Sequence, residues 1–197
     1  MNSGSDKEIC FMSGRELAAL IRERKLSSRE VMSAFLRQIA RVNPKINAIV
    51  AKLDDEECLR LAGDADARLA RGEEVGPLHG LPFAFKDLDP AVGFPFTRGS
   101  TIFRDFMPTE DSVLVEQLRR GGVIAIGKTN VSEFGMGSHT YNEVYGTTLN
   151  PYDLRKTAGG SSGGAGAALA AGLLSLASGS DLGGSLRNPA NFNNIVA

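Results

Sequence analysis

Between Thr157 and Phe192 the sequence is dominated by small residues: TAGGSSGGAGAALAAGLLSLASGSDLGGSLRNPANF. A stretch so rich in glycine and serine would ordinarily be a flexible linker. Here Leu169, Leu173, Leu174 and Leu176 are interleaved with the small residues and demand burial. Glycine in a buried segment marks close backbone packing or unusual dihedrals. The block is therefore expected to be a buried helix running into a buried strand across 165–177. That apolar stretch is too short, and too interrupted by Gly172 and Ser175, to span a membrane.

The rest of the chain carries helix and strand signals. Residues 1–11 lack periodicity and are expected to be a loose tail. Ser13 and Glu16 have capping-box spacing, and Leu17, Leu20 and Ile21 follow on one helical face. Ser27 and Glu30 repeat the signal, with Val31, Phe35 and Ile39 in phase and Pro44 expected to close the helix. Residues 47–51 read as a short strand, and 56–71 as a helix ended by Gly72. Phe83 to Phe85 is a short apolar strand with Lys86 and Asp87 at its end. Residues 111–120 read as a helix with Val113, Leu114 and Leu118 inward, and 123–126 as a buried strand. Strand, helix, strand predicts an α/β layer.

Composition narrows the function. A net charge of -1 over 197 residues leaves no broad electrostatic footprint for nucleic acid or an acidic membrane. The first residues lack a basic start followed by an apolar core, so no secretory signal is expected. Cys10 and Cys58 are too few and too far apart for a disulfide framework, and a reducing cytoplasm is the expected setting. His79 and His139 sit at no metal-ligand spacing and read as structural or surface residues. Neither a metal nor a cofactor is expected.

Two glycine clusters carry candidate chemistry. The first places Ser161 and Ser162 between glycine pairs at a helix start. A phosphate cradle is one reading, but no Gly-Lys-Ser/Thr follows and the dinucleotide-binding spacing is absent. The other is a turn that presents a serine hydroxyl for catalysis. The second cluster, from Asp181 to Pro189, again sets a serine, Ser185, after paired glycines. A nucleophilic serine needs a base. The histidines have poor contexts, whereas Lys86 ends an apolar strand, where desolvation would keep part of it neutral. Ser162 is expected to cap the glycine-rich helix, and Asp181 and Arg187 to hold the nucleophile loop. Asp87 reads as a structural partner.

Three blocks, GLPFAFKD, GGSSGGAGAALAAG and SGSDLGGSLRNP, stand in an order and spacing similar to the amidase signature family. IGKTNVSEFGMGS and YGTTLNPYD resemble its connecting segments, and the likeness runs from about Ser13 to the last residue. The resemblance implies a central mixed β-sheet flanked by helices, incomplete at its C-terminal side because family members are more than twice as long. Residues 12–197 would be the N-terminal portion of a single such domain. It implies Ser185 as nucleophile, Ser161 as a bridging serine after a cis peptide bond, and Lys86 as general base. Backbone N–H groups of Leu182, Gly183, Gly184 and Ser185 would form the oxyanion hole, and Gly135 and Met136 would lie against the substrate. That substrate would be a small linear amide, cleaved through an acyl-enzyme. A related branch, the A subunits of glutamyl-tRNA(Gln) amidotransferases, uses the same triad to release ammonia from glutamine and needs partner subunits. A reading of another class is a non-catalytic fragment that acts as an interaction partner. An unpaired sheet edge and open apolar face would favour pairing with another chain, including a homodimer. Pro90-Ala91, Phe96 and Asn193-Asn194 depart from the family pattern without touching the triad.

Overall fold

The computed structural model describes residues 3–197. Its centre is a three-stranded mixed sheet formed by β1 (Ile49–Lys52), β2 (Pro82–Lys86) and β3 (Ile124–Thr129). The spatial order is β1-β3-β2, with β1 antiparallel and β2 parallel to β3. Every residue of β2 and β3 is buried, as expected of strands covered on both faces. Lys86 pairs with Thr129 and is the last residue of its strand.

The helices follow their sequence signals. In α2 (Gly14–Arg22) and α3 (Ser28–Ile46) the Ser13–Glu16 and Ser27–Glu30 capping boxes are both formed. Phe35 and Val31 of α3 pack with Leu17, Ile21 and Leu81. The other side of α3, with α4 (Asp55–Ala70), covers Ile49 and Ile126 of the sheet. A separate apolar cluster joins Phe83 and Phe85 to Phe94, Val115 and Val123. Four short strands follow β3 as two hairpin-like pairs, β4 (Tyr141–Asn142) with β5 (Gly146–Thr147) and β6 (Leu149–Asn150) with β7 (Asp153–Thr157). The chain then enters α6 (Gly163–Ala170) and ends with α7 (Arg187–Asn193).

Four expectations need correction. Part of the supposed loose tail is helix α1 (Ser3–Cys10), which packs on α3; residues 1 and 2 lie outside the described residues. Burial of Cys10 and a two-pronged ion pair between Asp6 and Arg37 anchor it, neither legible as periodicity. Pro44 does not close α3. It sits within the last turn, which runs on to Ile46 because Asn47, in the left-handed region, supplies the cap. Helix α5 (Val113–Arg120) starts after a Ser112 cap and turns Val115 inward, leaving Val113 and Leu114 exposed. Finally, the buried strand expected before Ala177 is reduced to a single parallel bridge from Ala177 to Ala84. Gly172, at φ +66, ends the helical run instead.

Close packing explains the small residues. A Cβ on Gly164 would lie 2.3 Å from the backbone nitrogen of Asn130 and 2.8 Å from the carbonyl oxygen of Ala48. The start of α6 is thereby pressed against the loop that leaves β3. Gly164→Ala is expected to destabilise the fold by roughly 1–3 kcal/mol, read as a lower urea midpoint.

Candidate active site

Lys86 reaches its position because β2 is an apolar strand that ends at the lysine. Its side chain is fully buried, and Nζ lies 2.9 Å from Ser161 Oγ and 2.9 Å from Ser180 Oγ. Burial pulls its pKa from 10.5 down to about 8, against the opposing pull of Asp89 and Asp181. Ser161 is itself buried, at the start of the glycine-rich block, and the Gly160–Ser161 peptide bond is cis. The expected cis bond is therefore present.

Ser185 lies on the turn between Asp181 and α7 and is half-buried. Its carbonyl accepts the Ser162 N–H at 3.0 Å, which ties this turn to the start of α6. Among the described residues no hydrogen bond joins the hydroxyls of Ser185 and Ser161. The structure thus joins Lys86 to Ser161 side chain to side chain, and brings Ser185 to the same strip through its backbone.

Asp181 organises that turn. Its carboxylate accepts the N–H groups of Gly184 (2.7 Å), Leu186 (3.1 Å) and Arg187 (3.0 Å), and pairs with the Arg187 guanidinium. These donors hold its pKa far below the usual carboxylate range. The role expected for Asp181 and Arg187 is what the geometry displays. Gly184 N–H is donated to Asp181, because a carboxylate at a tight turn outcompetes solvent for it. The N–H groups of Leu182, Gly183 and Ser185 have no acceptor among the described residues, and Leu182 and Gly183 are exposed.

Gly135 stands beside Ser161. Its backbone has φ +71, and a Cβ there would lie 2.7 Å from Leu88 Cδ1 and 3.6 Å from Ser161 Oγ. Met136 is exposed on the adjoining loop. Ser162 stands at the N-cap of α6 but does not cap it. Its hydroxyl instead accepts the Ser180 N–H at 3.3 Å and faces the Ser180 carbonyl, while Thr140 Oγ1 accepts the Gly163 N–H. Asp87 is buried and structural: it accepts Thr97 N–H at 3.2 Å and lies 3.6 Å from Lys128 Nζ. His79 faces the Ala65 carbonyl and His139 the Thr157 hydroxyl. Sequence reasoning missed Ser180, Ser178 and Asp89. Ser180 directly precedes Asp181, and that adjacency is the one signal that pointed to it.

These features define an α/β protein whose site is a buried lysine, a serine after a cis peptide, and a second serine on a glycine turn. The family model described as Amidase matches residues 30–196. The chain belongs to the amidase signature family. It is 46% identical over 181 residues to the A subunit of a glutamyl-tRNA(Gln) amidotransferase from Acidothermus cellulolyticus, covering 92% of this chain and 36% of that relative. A solved structure of a fatty acid amide hydrolase superposes with a TM-score of 0.87 at 32% identity, covering 94% of this chain and 32% of that one. A bacterial aryl acylamidase of the amidase signature family gives 0.83 at 33% identity, covering 91% and 37%. The chain thus spans about a third of the length of these relatives.

Beyond the Ala84–Ala177 bridge runs an apolar groove of about 450 Å³, lined by Phe83, Leu114, Leu118, Leu169, Leu176 and Leu186. No helix among the described residues is long and apolar enough to cross a membrane.

Proposed function

We propose that this site cleaves a carbon–nitrogen amide bond by acyl transfer to Ser185. The observation that carries it is Lys86 Nζ, fully buried with its pKa lowered to about 8 and 2.9 Å from Ser161 Oγ. Neutral Nζ keeps one lone pair, so it can take the Ser161 proton while donating to Ser180 Oγ. Ser161 then takes the proton of Ser185 as Ser185 Oγ bonds to the amide carbon. The free N–H groups around Ser185 receive the developing oxyanion. The proton returns by the same path to the leaving amine as the carbon–nitrogen bond breaks. Water, activated by the same relay, then releases the acyl group. The substrate class is a small linear amide, and names of two structural neighbours, an amide hydrolase and an acylamidase, support it.

A second reading is glutamine hydrolysis as an A-type subunit, favoured by the 46% identical relative. It would require partner subunits, so glutaminase activity that appears only on adding them would select it. Both readings share one test. A fluorophosphonate probe should label the protein, and Ser185→Ala should abolish labelling while Ser162→Ala retains it. If the unmodified protein is not labelled, the hydrolase reading is wrong for this chain, and a non-catalytic interaction role takes its place.

A further inference from the structure

Asp89 and Asp181 are the carboxylates that pull on the Lys86 charge, and they differ in how they are held. Asp87, the chain neighbour of Lys86, faces Lys128 of β3 at 3.6 Å. Asp181, on the nucleophile turn, is paired with Arg187. From the segment before α6 comes the Ser161 hydroxyl. Asp89 is different. Its carboxylate has no cationic partner among the described residues and receives the Ser178 hydroxyl at 2.8 Å. Lys128 Nζ donates to its backbone carbonyl and is attracted to its charge through space, with no ion pair formed between the two side chains among the described residues. Ser178 Oγ in turn accepts the backbone N–H of Lys86 at 2.7 Å, and Asp89 N–H donates to the Lys86 carbonyl at 2.9 Å. The turn from Lys86 to Asp89 is therefore closed on both sides of the lysine, with Ser178 as its clasp.

We propose that Asp89 is a positioning residue for Lys86, clasping its backbone through Ser178 and holding the proton on its amine by its negative charge. This rests on Lys86 acting as the base. The benefit follows from the two tasks set for the lysine. It must lose its proton to activate Ser185 and later supply one to the leaving amine, so it must not be neutralised too completely. Burial alone drives it toward the neutral form, and Asp89 leads the opposing pull.

The test is a titration of Lys86 itself. In protein labelled with ¹³C-lysine, the Lys86 Cε signal is identified by its loss in Lys86→Met and followed with pH. Asp89→Asn keeps an oxygen for Ser178 but removes the charge. The Lys86 midpoint should fall by roughly one unit. Fluorophosphonate labelling at pH 7 should then be about fivefold faster, as more of the lysine is neutral. Asp89→Glu should keep the wild-type midpoint. If Asp89→Asn does not fold, Asp89→Ala carries the same expected fall. A midpoint that is unchanged or raised in a folded neutral variant overturns the proposal, as does slower labelling with no shift, the mark of a purely structural role. The Cε titration does not depend on turnover. An unlabelled wild type would therefore sink the hydrolase reading and leave the Asp89 result standing.

Discussion

Lys86→Met is expected to slow fluorophosphonate labelling of Ser185 by about 10²–10⁴-fold and, at pH 7, to make the protein more stable. The first effect follows from losing the group proposed to accept a proton from Ser161. The second follows from burial. In the folded chain Lys86 has a pKa of about 8, against 10.5 when free. Below about pH 8 the amine is protonated in both folded and unfolded states, and the full cost of burying its charge is present. Between about 8 and 10.5 the unfolded chain binds more protons than the folded one, so stability rises with pH across that window. At pH 7 methionine removes a penalty of roughly 3 kcal/mol at most, less the lost contacts to Ser161 and Ser180. A net gain of about 1–2 kcal/mol in urea unfolding is expected at pH 7, reversing to a net loss of about 1–2 kcal/mol by pH 10.5, where the charge penalty is gone and only the lost contacts remain. The same ionisation predicts that wild-type labelling rises with pH through about 8. Unchanged labelling in Lys86→Met would remove the lysine from the mechanism. A loss of stability at pH 7 would show that its hydrogen bonds outweigh its desolvation.

Asp181→Ala should lower the labelling rate by about 10²-fold while leaving the global unfolding transition in place. The carboxylate gathers three backbone N–H groups and a guanidinium on the turn that carries Ser185. Without it the turn loses the constraint that fixes the serine relative to Ser161. The pH profile adds a sign. Asp181 is one of the charges that favours the protonated form of Lys86, so its removal should move the midpoint of labelling to lower pH. A slower reaction with an unshifted midpoint would mean that Asp181 acts through the turn alone. Because the Asp181 pKa is depressed, its hold on the loop is lost only as pH falls through that low value. Labelling at mildly acidic pH is therefore limited by protonation of Lys86, not by collapse of the turn.

Much of the scaffold was legible because its signals are local. The capping boxes at Ser13 and Ser27, the apolar run before Lys86 and the stop at Gly72 each act within a few residues. The errors were of another kind. Helix α1 is held by Asp6 reaching Arg37 and by a buried Cys10, contacts that have no period along the chain. Val113 and Leu114 read as inward because they are apolar, yet the Ser112 cap sets the helix phase and Val115 takes the inward place. Ser162 read as a cap because it precedes a helix, but Ser180, 18 residues later, holds its hydroxyl.

By itself the sequence determined that Lys86 ends a buried strand, that Ser161 and Ser185 stand among glycines, and that the three belong to one family pattern. The order of residue types fixes such features, since strand ends, caps and glycine turns are written in neighbouring positions. Only the tertiary structure decided how the charges around the lysine are shared. It gave Asp87 to Lys128 and Asp181 to Arg187, left Asp89 to Ser178, and spent the Gly184 N–H on Asp181. The physical reason is that a proton's affinity for Lys86 depends on distance and burial in space, and several of these partners lie dozens of residues apart along the chain.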